Sequence, residues 1–160
     1  MTKHIISLPK THAEDLPVLF EFQLDPEGQY LAAFMPKDPS DKNAYIEKYT
    51  RHINDPSINM RTIKINDVIV GSIAKFMMDN EAEITYWLDK KFWGQGITTR
   101  ALQEFLLLEL TRPIRGRVAY DNYGSQKVLE KNGFIKAGTD KGFANAREAE
   151  IEEYIYILTV

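Results

Sequence analysis

The sequence predicts an α+β domain whose mixed, mostly antiparallel sheet carries helices on both faces. Two observations support this class. Apolar residues recur with helical spacing near the N-terminus and then alternate with a period of two through three consecutive segments. In the second half, strand-like and helix-like segments follow one another to the end of the chain. With 160 residues, of which 44% are hydrophobic and 27% charged, the chain has the size and composition of one globular domain, taken as residues 1–160.

The composition excludes several classes of protein. The chain contains no cysteine, which rules out disulfides, thiolate metal sites and a cysteine nucleophile. Its three histidines, His4, His12 and His52, lack the spacing of metal ligands, so no metal site is expected. A net charge of −3 without a basic run argues against a nucleic-acid partner. The sequence has no signal-peptide pattern and no apolar run long enough to span a membrane, so we expect a cytoplasmic protein with no membrane partner.

The N-terminal third predicts one strand and two helices. Residues 3–8 have the pattern of a strand, and residues 11–14 fit a capping box that starts a helix with an apolar stripe over 16–24. An Asp-Pro sequence ends this helix. Residues 25–40 are polar and contain three prolines, so they predict a loop with one short helical turn that forms a wall of a substrate cleft. A second helix starts at Asp41 and stops at the Asn-Asp-Pro sequence that follows it.

Three strands then form an antiparallel meander. Residues 61–65 alternate, residues 68–76 return after an Asn-Asp turn, and residues 82–88 follow an Asp-Asn turn. The remaining elements complete the order β-α-α-β-β-β-α-β-α-β-β. They are an apolar helix at 99–110, a strand at 114–120, a helix at 123–132 with Asn122 as its cap and Gly133 as its stop, a short strand at 134–137, a polar loop at 138–149 and a last strand at 153–158.

The most informative stretch is the turn at 93–99, which reads Trp-Gly-Gln-Gly-Ile-Thr-Thr. It lies between a predicted strand and a predicted helix, where backbone N–H groups can bind a phosphate or pyrophosphate. The dinucleotide fingerprint would need a third glycine at Thr99, and the Gly-Lys-Ser/Thr sequence of a Walker loop is absent. Taken alone, the turn is equally compatible with glycines that serve only its geometry.

A second motif stands about 25 residues further on. Residues 122–134 read Asn-Tyr-Gly-Ser-Gln-Lys-Val-Leu-Glu-Lys-Asn-Gly-Phe. Together the two segments resemble the GNAT superfamily of acyl-CoA-dependent N-acyltransferases, with its pyrophosphate loop Arg/Gln-x-x-Gly-x-Gly/Ala and its second signature Asn-x-x-Ser-x-x-x-Leu-x-Lys-x-Gly-Phe. Residues 82–88 resemble the branch that contains the ribosomal-protein-alanine N-acetyltransferases. The resemblance is close over residues 60–137, although Trp93 replaces Arg/Gln and Thr98 stands where Gly or Ala is commoner.

The resemblance implies acetyl-CoA as cosubstrate, bound where the strand at 82–88 splays from the strand at 114–120. Its pantetheine arm would pair with the backbone, as an added strand does, and its pyrophosphate would lie on N–H groups of the glycine turn. A backbone N–H near Leu88 would polarise the thioester carbonyl. No metal is implied. The implied cofactor-binding residues are Trp87, Leu88, Gly94, Gln95, Gly96, Ile97, Thr98, Thr99, Asn122, Ser125 and Lys127.

Acetyl transfer to nitrogen requires an unprotonated amine. An α-amino group has a pKa of about 8, so only about a tenth of it is neutral at pH 7, and a base is useful. By the resemblance, Glu83 is the candidate base, with Glu81 and Glu153 as alternatives. The leaving thiolate needs a proton or a strong donor, and Ser125 is the candidate for this catalytic role, with Tyr123 as the alternative.

The implied function is direct acetyl transfer from acetyl-CoA to a primary amine in a ternary complex, without a covalent enzyme intermediate. The acceptor is a protein N-terminus or a small-molecule amine, and the sequence does not choose between them. Two other hypotheses stay open: a non-catalytic acyl-CoA-binding sensor or interaction domain, and a nucleotide-dependent oxidoreductase. The family often dimerises, so a homodimer is possible, with the tyrosine-rich last strand as an interface.

Overall fold

A computed structural model describes residues 5–160, which form one seven-stranded sheet flanked by five helices. His4 and the start of the predicted first strand lie outside the described residues. The elements are β1 (Ile6–Ser7), α1 (Leu16–Phe22), α2 (Pro26–Ala32), α3 (Lys42–Asn54), β2 (Asn59–Ile65), β3 (Val68–Met78), β4 (Glu81–Leu88), α4 (Ile97–Leu108), β5 (Ile114–Ala119), α5 (Tyr123–Lys131), β6 (Ile135–Ala144) and β7 (Ala149–Leu158).

The strands lie in the order β1-β2-β3-β4-β5-β7-β6. Every neighbouring pair is antiparallel except β4 and β5, which run parallel. The meander β2-β3-β4 turns through Asn66, Asp67, Asp79 and Asn80, all with positive φ, as the tight hairpin turns of a twisted sheet require. The predicted α+β class and mostly antiparallel sheet are therefore confirmed.

Helices cover both faces of the sheet. On one face α4 and α5 contribute Phe105 and Leu129 to the main core, where they are buried with Ile84 of β4. On the other face α1 and α3 pack over β2 and β3, with Leu16 at the centre of a second cluster. A Cβ at Gly116 of β5 would lie 2.8 Å from a methyl group of Leu129, so the glycine allows α5 to approach the sheet closely.

The segment before α3 differs from the prediction. Residues 26–32 form a complete helix, α2, because the carboxylate of Asp25 caps it by accepting the N–H of Gly28 at 3.0 Å. The capping box near the start of the chain begins at His12, one residue later than predicted. The N–H of His12 donates to Asp15 at 2.9 Å, whereas Thr11 is buried and its hydroxyl accepts a hydrogen bond from Thr62 at 3.0 Å. Thr11 therefore joins the helix start to β2 instead of capping it.

The prediction of a polar loop at 138–149 is wrong. These residues belong to a long hairpin, in which β6 pairs with β7 as far as Ala144 and Ala149. Because β6 is the outermost strand and most of its side chains are exposed, it carries none of the apolar alternation that marks a half-buried strand. β7 lies between β5 and β6, and Tyr156 is buried, so the tyrosine-rich strand offers no free edge for a dimer interface.

Candidate active site

The site begins at a gap between the two parallel strands. β4 and β5 pair only over residues 82–84 and 114–116, although β4 continues to Leu88 and β5 to Ala119. The splay expected from the sequence is therefore present. Both strands run into helices at this end, so the N-termini of α4 and α5 follow the carboxyl ends of the separating pair. In open α/β sheets this is the position where ligands bind.

The glycine turn joins β4 to α4. Gly94 and Gly96 have φ values of 76° and 75°, in the left-handed region that favours glycine. A Cβ placed on either glycine would meet nothing within 4 Å, so backbone rotation, not crowding, requires glycine here. The indole Nε1 of Trp93 donates to the carbonyl oxygen of Leu88 at 3.1 Å and holds the turn against the end of β4.

The N-terminus of α4 is open to an anion. Its N-cap is Gly96, which has no side chain to accept from the first N–H groups, and its first turn holds no acidic residue. By contrast, an Asp or Asn side chain caps each of α2, α3 and α5. The first N–H groups of a helix have no partner within the helix, and the helix dipole adds partial positive charge to them. Gly94, Gln95 and Gly96 are exposed, so this end of α4 can receive a phosphate from solvent.

Alternation along β4 divides the site into two sides. Tyr86 and Leu88 point toward the core beneath α4 and α5, whereas Glu83, Thr85 and Trp87 lie on the opposite face, where Trp87 contacts α1 and α2. Thr85 is exposed even though β4 is an inner strand of the sheet. The surface over Thr85, beside the gap, is therefore open to solvent.

Trp87, the next residue of β4 on this face, packs against the corner between α1 and α2. Its indole Nε1 donates to the carbonyl oxygen of Phe22 at 3.2 Å, at the end of α1. A Cβ on Gly28 would lie 2.8 Å from the Trp87 ring, so the absence of a side chain there lets α2 rest on the indole. The corner between α1 and α2 is thereby held on β4.

On the other side of β4, Ser125 is part of a hydrogen-bonded chain. Its hydroxyl lies 2.7 Å from the phenol oxygen of Tyr86, and its backbone N–H donates to the Asn122 side chain at 3.3 Å. Burial raises the pKa of the Tyr86 phenol, so Tyr86 stays protonated and able to donate. Tyr123 and Lys127, by contrast, are exposed. Of the two candidates for the proton donor, only Ser125 is held in place by such contacts.

Glu83 is buried, with 2% of its surface exposed. Its two carboxylate oxygens lie 3.5 Å from Nε of Arg115 and 3.4 Å from Nε of Arg117. Burial raises the pKa of Glu83, and the charge of Arg117 opposes this rise. A carboxylate with a raised pKa is suited to accept a proton near neutral pH. The alternative bases contact the same two arginines from outside, because the more exposed Glu81 pairs with Arg115 and Glu153 pairs with Arg117 at 3.0 Å.

Three residues at the site, Tyr86, Arg115 and Arg117, were not among the predicted ones. Their signal in the sequence is the period of two in a strand. It places Tyr86 on the face opposite Glu83, and it places the two arginines on one face, separated by Gly116. Which strand lies beside β4 cannot be read from this alternation, so the pairing of Glu83 with arginine appears only in the fold.

The turn of the β6–β7 hairpin packs against the end of α2 and against Asp121. Arg147 donates two hydrogen bonds to the Asp121 carboxylate, at 2.9 and 2.7 Å, and a third to the carbonyl oxygen of Tyr30 at 2.6 Å. The N–H of Ala146 donates to the carbonyl oxygen of Ala33 at 3.1 Å. These contacts attach the hairpin to the end of α2, so the two elements form one continuous wall.

Within residues 5–160 no three His, Asp or Glu side chains are grouped so that they could hold a metal ion. None of the helices in this part of the chain has the length and apolar character needed to cross a membrane.

Comparison with known proteins connects this geometry to a family. Residues 6–135 match the model of the acetyltransferase (GNAT) domain. The chain is 29% identical over 167 residues to the uncharacterized N-acetyltransferase p20 of Bacillus licheniformis, covering 96% of this chain and 92% of that protein. It is 38% identical over 89 residues to the ribosomal-protein-serine acetyltransferase of Escherichia coli K12, covering 51% of this chain and 49% of that enzyme.

Solved structures share the fold. RimL, a ribosomal L7/L12 α-N-protein acetyltransferase in complex with coenzyme A, superposes with a TM-score of 0.85 at 20% identity and covers 97% of this chain and 94% of its own. The microcin C7 self-immunity acetyltransferase MccE, in complex with acetyl-CoA and AMP, superposes with a TM-score of 0.79 at 19% identity, with coverages of 97% and 92%.

Proposed function

Because the chain belongs to the acetyltransferase (GNAT) domain family, we propose that it moves the acetyl group of acetyl-CoA directly to a primary amine in a ternary complex. The observation that carries this proposal is the gap between β4 and β5, with the uncapped N-terminus of α4 following the end of β4. Relatives of the same fold bind CoA or acetyl-CoA. The chemistry requires no metal.

In this proposal the glycine turn holds the pyrophosphate. The backbone N–H groups of the turn and of the first helical residues point outward at the start of α4, where the helix dipole favours a negative charge. The pantetheine arm enters the gap beside Trp87 and Leu88 and forms strand-like hydrogen bonds there. The ligands assigned to this site are Trp87, Leu88, Gly94, Gln95, Gly96, Ile97, Thr98, Thr99, Asn122, Ser125 and Lys127.

The reaction needs one proton acceptor and one proton donor. The amine nitrogen attacks the thioester carbonyl, and the C–S bond breaks to release the thiolate. Glu83 takes the proton of the attacking amine through a water molecule, because its burial leaves no room for direct contact with a bulky acceptor. Ser125, oriented by Tyr86, donates a hydrogen bond that stabilises the leaving thiolate. The thiolate then takes a proton from water, and Glu83 returns the proton of the amine to water.

We propose that the acceptor is an α-amino group of a protein N-terminus or a small amine that reaches the cleft over Thr85. An α-amino group is easier to deprotonate than a lysine side chain, because its pKa is lower by about two units. Relatives named for ribosomal-protein substrates support the first class of acceptor. A cytoplasmic location, where acetyl-CoA and ribosomal proteins occur together, completes the proposal.

The test is release of free CoA from acetyl-CoA with a panel of amines. Because the chain contains no cysteine, a thiol reagent added to the assay reports only the CoA that is released. The panel contains peptides with a free N-terminal serine or alanine, N-acetylated peptides with one lysine, and a polyamine. We expect CoA release with at least one amine, and the Glu83→Gln variant should lose most of this activity. Calorimetric binding of acetyl-CoA without thiol release from any amine would favour the sensor hypothesis instead.

A further inference from the structure

We propose that Arg115 and Arg117 are positioning residues, which hold the Glu83 carboxylate in its ionised form and thereby set the pH at which acetyl transfer begins. The inference rests on the proposed role of Glu83 as the base. It concerns two residues that belong to neither sequence motif.

The two arginines lie on opposite sides of one carboxylate. β4 and β5 run in parallel register, with Glu83 opposite Arg115. Arg115 Nε lies 3.5 Å from one oxygen of Glu83, and Arg117 Nε lies 3.4 Å from the other. Gly116, between the two arginines, faces the other side of the sheet, where it packs on Leu129. The charges of two guanidinium groups therefore act on a carboxylate that is almost fully buried.

The contacts of both arginine Nε atoms with the carboxylate are longer than a short charge-assisted hydrogen bond. Oε2 of Glu83 and both arginine Nε atoms are buried and have no hydrogen-bond partner among the described residues. The arginines therefore act on Glu83 mainly through charge, which in a buried setting is stronger than at the surface. A bidentate hydrogen-bonded pair would have occupied the oxygens that a base needs. This geometry combines stabilisation of the anion with an available oxygen.

Outer carboxylates hold the arginines in place. Nη1 of Arg117 lies 3.0 Å from Glu153 on β7 and 3.4 Å from Asp140 on β6, and Arg115 pairs with Glu81 on β4. The outer acids also act on Glu83 as like charges. The charged groups that face Glu83 are Arg115 and Arg117 on β5, Glu81 on β4, Glu153 on β7, Asp140 on β6 and Asp79 in the β3–β4 turn.

This arrangement predicts that removing a neighbouring cation and removing a neighbouring carboxylate shift the pKa of Glu83 in opposite directions. Burial raises the pKa of Glu83, the charge of Arg117 lowers it, and the charge of Glu153 raises it. Arg117→Gln should therefore move the acid limb of the kcat/KM profile upward by about one pH unit, the usual size for loss of one close opposite charge. Glu153→Gln should move it downward, and Arg117→Lys should restore much of the wild-type profile. Arg51→Gln is the matched control, since Arg51 is 65% exposed on α3 and, among residues 5–160, forms a salt bridge only with Glu47.

The experiment has two readouts. The pH–rate profile is measured with the best amine of the panel, and the Glu83 carboxyl is titrated by NMR in protein labelled with 13C-glutamate, the resonance being assigned with Glu83→Gln. An NMR midpoint that stays at its wild-type value in Arg117→Gln would overturn the inference. If the midpoint moves while the acid limb does not, Glu83 is not the base, and the proposed catalytic role fails with it. Loss of the acid limb in Glu153→Gln would transfer the role of base to Glu153.

The other variants keep the inference testable even if Arg117→Gln does not fold. Glu153→Gln and Arg117→Lys both retain two cations beside Glu83, so they avoid an unpaired buried carboxylate. If Arg117→Gln unfolds, the inference still requires a downward shift of the Glu83 midpoint in Glu153→Gln. An upward shift or an unchanged midpoint in that variant contradicts it.

Discussion

At the scale of single residues, the least expected feature is the contact between Tyr86 and Ser125. Motif similarity singles out Ser125, but the motif says nothing about what orients its hydroxyl. The structure places the buried Tyr86 phenol 2.7 Å from that hydroxyl, across the interface between β4 and α5. A phenol whose pKa is raised by burial stays protonated and so keeps the hydrogen bond over the working pH range.

Tyr86→Phe should lower kcat about tenfold and leave the KM for acetyl-CoA nearly unchanged, because it removes only the group that orients Ser125. Ser125→Ala should lower kcat at least as much. The double variant should be no slower than Ser125→Ala alone, because the phenol acts through the serine. Stopped-flow measurement of CoA release provides all three rates.

Tyr154→Phe is the control for this cycle, since Tyr154 packs against the same core and its ring contacts Lys136 instead of Ser125. We expect its rate to match the wild type. Fully additive losses in the double variant would mean that Tyr86 and Ser125 act independently.

The glycine turn and the β6–β7 hairpin, two structural elements, show where sequence reasoning succeeds and where it does not. The turn was predictable because Gly94 and Gly96 occupy positions that need positive φ, and few other residues tolerate this. The hairpin was not, because β6 lies at the edge of the sheet and has no buried face to impose alternation. The hydrogen bonds from Arg147 to Asp121 hold the hairpin in place. Because these residues are distant in sequence, no local pattern predicts the contact.

Gly96→Val tests the glycine turn. A branched side chain at φ 75° strains the backbone and projects from the start of α4, where the phosphate is expected. The KM for acetyl-CoA should rise at least about tenfold, the equivalent of one lost charge-assisted contact, while the KM for the amine changes little. Steady-state kinetics with each substrate varied in turn gives both values.

Gly133→Val separates strain from ligand contact. Gly133 has a φ of 86° at the far end of α5, so valine there strains the backbone to a similar extent, by about 1–3 kcal/mol. Both variants should lose stability in urea, but only Gly96→Val should raise the KM for acetyl-CoA. A similar rise in Gly133→Val would mean that general destabilisation, and not the phosphate site, explains the result.

At the scale of the whole molecule, the sheet order explains why the fold was more predictable than the catalytic side chains. Hydrophobic periodicity and turn residues depend only on neighbours along the chain, so the strands β2, β3 and β4 could be predicted from the sequence. The network around Glu83 joins four adjacent strands that are spread over residues 81–158. Glu83 meets the arginines because β4 pairs with β5, and Glu153 reaches Arg117 because β7 inserts between β5 and β6. No local sequence pattern predicts this strand order.

The same topology predicts that the bound coenzyme stabilises the fold of the whole domain. A coenzyme that bridges the ends of β4 and β5 binds the folded chain alone, so at 100 times its Kd it should stabilise the fold by about 2.7 kcal/mol. For a domain of this size that corresponds to a rise in Tm of about 5–10 °C, measured by differential scanning fluorimetry. We expect this rise with CoA and acetyl-CoA, a much smaller rise in Gly96→Val, and none with NAD or NADH. Stabilisation by NADH but not by CoA would reassign the glycine turn to a dinucleotide and favour the oxidoreductase hypothesis.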